Sequence, residues 1–363
     1  MARVELKNVT KRFGSLTAVD TLSLTVEHKE FMCILGPSGC GKTTTLRMIA
    51  GLETPTSGLI YIGDEIVNEM TPSERDIAMV FQFYALYPGM TVYENLAFPL
   101  KAQKLAKNEI GRIVRETAER LNISQILERK PHQITAGQAQ RVALGRAVVR
   151  KPRVYLLDEP LTNLDARLRA YMRVELKRLQ REWEQTTIYV THDQLEAIAM
   201  ADRIVIIDRG VLQQCDTPEG VYSKPGNRFV AGFVGSPPMN FIDASLVEAD
   251  GRLLADCGPF KTDLSQFSDI IGREQRSSEV VLGMRPEDIK VTKESIEPDS
   301  FQAEVEAVEP IGDETIYDVT VGEIRLRALT AIPLDIYAGE EAWLTVDKNK
   351  LHVFDRRTGE ALL

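Results

Sequence analysis

Over the first 235 residues, short runs of apolar and β-branched residues alternate with longer segments whose apolar positions recur at helical spacing, the texture of an α/β domain. Phe31-Met32-Cys33-Ile34-Leu35 reads as a buried strand running into a glycine-rich turn, and Lys42 to Ala50 reads as the helix behind it. Ile77 to Phe81, Val154 to Leu157, Thr187 to Val190 and Ile204 to Ile207 suit a central sheet covered on both faces. Helices are predicted at about 108–122, 137–149 and 166–184. In the last, Leu168, Met172, Leu176, Leu179 and Trp183 form a stripe at core spacing, with charges on the other face.

Near residue 235 the texture changes. Gly235-Ser236-Pro237-Pro238 reads as a turn or linker. Beyond it short alternating runs recur between turn residues: Val280 to Leu282, Phe301 to Val308, Ile316 to Val321, Ile324 to Leu329, Ala342 to Val346 and Leu351 to Phe354. Many short strands with little helix predict a small β-barrel or sandwich.

Charge divides at the same place. Residues 1–235 carry 31 Lys/Arg against 27 Asp/Glu, whereas 236–363 carry 13 against 26, which accounts for the overall net of −9. An acidic chain without a basic tract is a poor partner for nucleic acid, whose backbone must be neutralised by Lys and Arg. Cys33, Cys40, Cys215 and Cys257 have no metal-ligand spacing, so a zinc site or disulfide framework is not expected and a reducing compartment fits. Met1-Ala2-Arg3-Val4-Glu5 has no apolar signal-peptide core, and no apolar run approaches bilayer length, so the expectation is a protein neither secreted nor integral to the membrane.

The chemistry concentrates after the predicted strands. Gly36-Pro37-Ser38-Gly39-Cys40-Gly41-Lys42-Thr43 fits the phosphate-loop spacing between a strand and a helix. There glycines let backbone N–H groups converge on an oxyanion, Lys42 reaches the β- and γ-phosphates of ATP, and Thr43 ligates Mg²⁺. Cys40, beside a helix N-terminus and Lys42, is expected to have a lowered thiol pKa. Val154 to Leu157 leads into Asp158 and Glu159: Asp158 is a candidate Mg²⁺ ligand and Glu159 a candidate general base toward water. His192, in Thr191-His192-Asp193, suits a contact with the γ-phosphate and the attacking water, and Gln82 a contact with Mg²⁺ or that water.

These motifs, in this order, resemble the nucleotide-binding subunit of ATP-binding-cassette (ABC) transporters. Ile134-Thr135-Ala136-Gly137-Gln138-Ala139-Gln140-Arg141 stands where that family has its signature, and Asn163-Leu164-Asp165-Ala166 follows Asp158-Glu159-Pro160. The likeness continues through Phe229 to Pro237, Met239-Asn240-Phe241 and Gly283-Met284-Arg285-Pro286-Glu287-Asp288, which resemble the ATPases of bacterial carbohydrate importers, the maltose type among them. It implies a P-loop NTPase cassette of α/β class at 1–235, with a helical subdomain at about 88–150, and an all-β oligonucleotide-fold-like regulatory domain at 236–363.

The resemblance also implies a mechanism. Two cassettes close head to tail over two ATP molecules, each held between one subunit's phosphate loop, extending to Thr44, and the other's Thr135, Gly137 and Gln138. Asp165 would lie at that interface. Phe13 corresponds to the family's adenine-stacking aromatic, and Val19 to a nucleotide-contacting position. Permease subunits would dock around residues 83–98, and a solute-binding protein would act indirectly, placing the ATPase at the cytoplasmic face of the membrane. In relatives the acidic domain reinforces the dimer and receives inhibitory proteins.

One departure from the family pattern is Ala136, where glycine is usual and would permit positive φ close to phosphate. It leaves open a homodimer that tolerates the methyl group or a pairing with a different ATPase in which this chain is the weakly catalytic member. A non-transport ABC ATPase is the other reading, and the acidic tail disfavours it.

Overall fold

The computed structural model describes residues 2–82, 85–162, 164–249, 251–268, 271, 278–295 and 299–363. Two compact units make up the chain, Met1–Pro218 and Glu219–Leu363.

The first unit opens with strands β1 (Val4–Phe13), β2 (Leu16–Val26) and β3 (Phe31–Leu35), then helix α1 (Lys42–Ala50). Strands β4 (Ser57–Ile62), β5 (Glu65–Ile66) and β6 (Ile77–Val80) follow, then α2 (Val92–Ala102), α3 (Lys107–Arg120) and α4 (Ala136–Val148). The unit closes with β7 (Val154–Asp158), α5 (Ala166–Trp183), β8 (Thr186–Thr191), α6 (Gln194–Met200), β9 (Arg203–Asp208) and β10 (Val211–Asp216).

Six strands form the central sheet, in the order β10-β9-β3-β8-β7-β6, parallel except for β10. Strand β3 is buried at every residue, as a strand covered on both faces must be. A second, antiparallel sheet, β2-β1-β4-β5, shares its core with α1 and the central sheet through Val4, Leu6, Leu46, Ile49, Ile60 and Ile188. This second sheet was not among the sequence-derived elements. Helices α2, α3 and α4 have a separate core built on Leu96, Val114 and Val142. The α5 stripe is core as expected at Met172, Leu176 and Leu179. The side chain of Trp183 lies outside the described residues.

In the second unit α7 (Pro218–Ser223) begins at the boundary and α8 (Arg228–Phe233) precedes β11 (Asn240–Ala249), β12 (Arg252–Asp256), β13 (Lys261–Asp263) and β14 (Glu279–Met284). Then come β15 (Ile289–Thr292), β16 (Phe301–Ile311), β17 (Glu314–Val321), β18 (Ile324–Thr330), β19 (Glu341–Val346) and β20 (His352–Asp355). They pair as two five-stranded antiparallel sheets, β13-β12-β11-β14-β20 and β15-β19-β16-β17-β18, around one core containing Leu282, Val305, Tyr317 and Leu344.

The units divide before the Gly235 to Pro238 turn rather than at it. The reason is a buried guanidinium: Arg285, at the end of β14, donates to the carbonyls of Val234 and Tyr222 and lies 3.6 Å from the centre of the Tyr222 ring. Ala231 packs with Met239, Val281 and Phe354. Residues 219–234 are thereby held by the all-β unit.

Candidate nucleotide site

Parallel register brings the carboxyl ends of the central strands to one edge. Leu35 pairs with Thr191, and Asp158 with Val190, so Gly36, Glu159 and His192 leave the sheet side by side. Strand β3 lies between β8 and β9, the point of an open α/β sheet where the connections diverge and leave a crevice for ligand. Gln82 stands two residues beyond the end of β6, on the same edge.

The phosphate loop is shaped by its glycines. Gly41 caps α1 at φ 105°, and an added Cβ would lie 2.4 Å from the Ala18 carbonyl oxygen; a Cβ at Gly36 would lie 2.3 Å from that of Ile207. Pro37 is half-buried, and Ser38 and Gly39 form the exposed crest. Thr43 and Thr44 follow in the first turn of α1, whose leading N–H groups have no intrahelical partner and suit an oxyanion. Lys42 Nζ donates to the carbonyls of Gly36 and Pro37, both at 2.8 Å, which lays the ammonium along the loop. The far end of α1 is fastened by Arg75, whose buried guanidinium donates to Met48 O and Ile49 O.

Two of the residues expected near the nucleotide are buried. Cys40 is 4% exposed, and burial pushes its thiol pKa up despite Lys42; the sequence-based expectation of a lowered value counted the charge and the helix but not the desolvation. Val19 is fully buried in the core, where its Cγ2 lies 3.3 Å from the position a Gly41 Cβ would take. It supports the loop from behind rather than offering surface to a nucleotide. Phe13 is 45% exposed at the end of the same hairpin, with Lys11 Nζ 4.7 Å from its ring centre.

The acidic strand end joins the loop directly. Thr43 Oγ1 donates to Asp158 Oδ1 at 3.1 Å, and burial raises the Asp158 pKa while the Thr43 bond opposes the rise. A hydroxyl and a carboxylate converging in this way are hard oxygen donors of the kind Mg²⁺ takes when phosphates and water complete its shell. Among the described residues no cluster of three His, Cys, Asp or Glu side chains is present that would hold a metal by itself.

Glu159 sits at φ 44°, in the left-handed region that costs a non-glycine residue strain and that recurs at functional sites. Its N–H donates to Val190 O, and its Oε2 lies 3.0 Å from His192 Nδ1 and accepts from Thr162 Oγ1 at 3.2 Å. The sequence reading placed Glu159 and His192 in one site without joining them; the structure makes them a pair. Behind His192, Tyr189 and Thr191 both donate to the buried carboxylate of Glu196 at 2.7 Å, a fastening that no sequence motif marks.

The signature residues stand at the N-terminus of α4. Thr135 Oγ1 accepts from Gln138 N, and Thr135 N donates to Gln138 Oε1, a reciprocal capping box. Gly137 is buried under Leu168, whose Cδ2 would lie 2.2 Å from an added Cβ. Ala136 is the first residue of the helix, exposed and without positive φ. This removes the backbone-strain reason for glycine at that position, because the helix itself supplies a conformation any residue adopts. Gln140 reaches from α4 to the Pro160 carbonyl, next to Glu159. Asp165 is exposed and caps α5 by accepting from Leu168 N at 3.0 Å.

Of the expected permease-facing segment, Phe83 and Tyr84 lie outside the described residues. The rings of Tyr87 and Phe98 pack tilted at 49° with centres 4.7 Å apart and are 39% and 41% exposed. Asn95, fully buried, accepts from Tyr87 N and donates to the carbonyls of Tyr87, Met90 and Thr91, fixing the turn beneath them.

Comparison with known proteins agrees with this geometry. The family described as ABC transporter matches residues 19–162, the MalK OB fold domain residues 235–289 and the TOBE domain residues 282–354. The trehalose/maltose import ATP-binding protein MalK of Thermococcus litoralis is 51% identical, with 100% of each chain covered. The sn-glycerol-3-phosphate import ATP-binding protein UgpC of Psychromonas ingrahamii is 44% identical over 99% of this chain and 95% of its own. A solved structure of the ATP-binding cassette MJ0796, in a dimeric post-hydrolysis state bound to ADP and Pi, is 33% identical, with a TM-score of 0.54 over 59% of this chain and 98% of its own. By its full-length relatives and the three domains it carries, the chain belongs to the ABC transporter ATPases of the MalK type, a P-loop cassette followed by an all-β regulatory domain.

Proposed function

We propose that this ATPase energises the import of a sugar or a related polyol or glycerol phosphate through permease subunits, acting at the cytoplasmic face of the membrane. The observation that carries the reading is the single sheet edge at which Thr43 meets Asp158 and Glu159 meets His192, in a chain matched along its whole length by importer ATPases. No helix among the described residues is long and apolar enough to cross a membrane, so docking to permease subunits is the proposed means of association. The exposed pair of Tyr87, on the turn held by Asn95, and Phe98, on α2, is the surface proposed for it.

In the proposed mechanism the phosphate loop from Gly36 to Thr44 holds the triphosphate of ATP, with Lys42 turning from the loop carbonyls toward the β- and γ-phosphates. Phe13 stacks on the adenine. Thr43, Asp158 and Gln82 are the residues that would hold Mg²⁺, which supplies charge neutralisation on the phosphates when bound. Glu159 takes the proton of the attacking water as its oxygen bonds to the γ-phosphorus and the bond to the β-phosphate oxygen breaks. His192, whose Nδ1–H donates to the Glu159 carboxylate, keeps Nε2 to accept from the attacking water as a neutral ring, or to donate to a phosphate oxygen as an imidazolium. The partner's Thr135, Gly137 and Gln138 close over the γ-phosphate, with Asp165 beside the opposite loop; release of phosphate opens the dimer.

A homodimer is the favoured assembly, because Ala136 occupies ordinary helical backbone and leaves the α4 N-terminus intact. Only the bulk of its methyl group then separates it from glycine. Ala136→Gly is accordingly expected to raise ATP turnover, by no more than about fourfold, the equivalent of roughly 0.8 kcal/mol for one methyl-sized group. Turnover unchanged or lowered in steady-state phosphate release would show that the methyl group costs nothing.

Purification of the native complex tests the reading as a whole. The chain is expected to co-purify with membrane permease subunits, and one solute class, presented with its binding protein, is expected to stimulate ATP hydrolysis. A complex lacking membrane subunits, or an ATPase stimulated by nucleic acid instead, would overturn it.

A further inference from the structure

Between the Asp165 turn and the His192 corner stands one side chain that the motifs do not include. Arg169, one turn into α5, donates from Nη2 to the carbonyl of Leu164 at 3.1 Å, and its Nη1 lies 3.5 Å from Asp193 Oδ2. Its Nε is buried without a partner, so the guanidinium is set by these two contacts at its outer end.

Each contact belongs to a segment with a task at the nucleotide. Leu164 is 5% exposed and directly precedes Asp165, the exposed cap of α5. Asp193 directly follows His192 and divides its carboxylate: Oδ1 accepts from Leu195 N and Glu196 N, capping α6, while Oδ2 faces Arg169. The Asp193 N–H donates to Thr191 Oγ1, which itself donates to Glu196, so the backbone on both sides of His192 is held. Among the described residues, the Arg169 guanidinium grips both that corner and the Asp165 turn.

We propose that Arg169 is a positioning residue that couples the Asp165 turn to His192, so that contact of the turn with a second cassette holds the histidine in its place beside Glu159. The proposal rests on the head-to-tail dimer reading given above. Arginine suits the task because its planar fork reaches two acceptors at once, whereas a lysine ammonium on a single stem satisfies one or the other. A residue serving only to stabilise α5 would change the melting temperature and leave the chemical step alone.

The test is steady-state hydrolysis of MgATP by the full-length chain, with kcat and KM separated. Arg169→Gln is expected to lower kcat by about tenfold or more and leave KM within about twofold, as misplacement of a catalytic group does. Arg169→Lys should recover part of that loss. Asp193→Asn keeps the α6 cap through Oδ1 but removes the charge facing Arg169, and is expected to lower kcat to a similar extent. In the double variant Arg169→Gln with Asp193→Asn, kcat should be no lower than in the worse single variant, since one linkage has been cut twice. Losses that multiply, or a kcat unchanged in both single variants, would overturn the coupling while leaving the ATPase reading in place. A wild-type chain without ATP turnover would overturn both.

Discussion

Glu159→Gln is expected to lower ATP turnover by about 10²- to 10⁴-fold, the usual contribution of a general base. The substitution is nearly isosteric. The Glu159 N–H bond to Val190 O is a backbone contact and survives, and a glutamine amide oxygen can still accept from Thr162. What is removed is the capacity to take a proton at 3.0 Å from His192. Nucleotide affinity, which rests on the loop from Gly36 to Thr44, should therefore remain within about threefold of wild type, because no phosphate contact is altered. A variant that binds ATP without splitting it should accumulate as the closed dimer, visible as a shift to twice the mass by light scattering with ATP and not with ADP. Turnover retained at the wild-type rate would mean that the base lies elsewhere, and His192 would be the next residue to remove.

The sequence carried the centre of the site better than its supports. Motifs such as Gly36 to Thr43 and Asp158-Glu159 are local, so their spacing alone fixes where a strand must end and a helix begin, and the ends of β3 and α1 fall where the apolar pattern placed them. The supports are long-range. Arg75 meets Met48 and Ile49, Gln140 meets Pro160, and Arg169 meets Asp193, each across a stretch of chain whose path no periodicity reveals. The antiparallel sheet of the first unit was missed for a different reason. Register shifts between Leu6 and Val9, and again between Val9 and Lys11, interrupt the alternation of β1, so its period of two breaks after Leu6; β2 keeps the alternation only at Leu22, Leu24 and Val26. Burial was the other hidden quantity: Cys40 lies in the phosphate loop and Val19 at a position the resemblance gives to the nucleotide, yet both pack in the core.

Gly41→Ala is expected to abolish nucleotide binding with the fold retained. Two separate demands meet at this residue. Its φ of 105° lies where an L side chain is strained, and a Cβ would come within 2.4 Å of the Ala18 carbonyl oxygen. That oxygen belongs to the backbone of β2, which is paired along β1 and cannot yield as the end of a flexible side chain does. The loop must move instead, and with it the amides that begin α1. Loss of two hydrogen bonds from backbone N–H to phosphate corresponds to about 3 kcal/mol or more, above a hundredfold in affinity. Gly39→Ala separates the two demands, since Gly39 also has positive φ, 78°, but nothing lies within 4 Å of its added Cβ. Only backbone strain applies there, about 1 to 2 kcal/mol, so its affinity should fall by roughly tenfold. Titration with a fluorescent ATP analogue, alongside circular dichroism to confirm folding, measures both variants. Equal losses would assign the effect to φ alone, whereas wild-type affinity in Gly41→Ala would mean that the amides of this loop do not hold the phosphates.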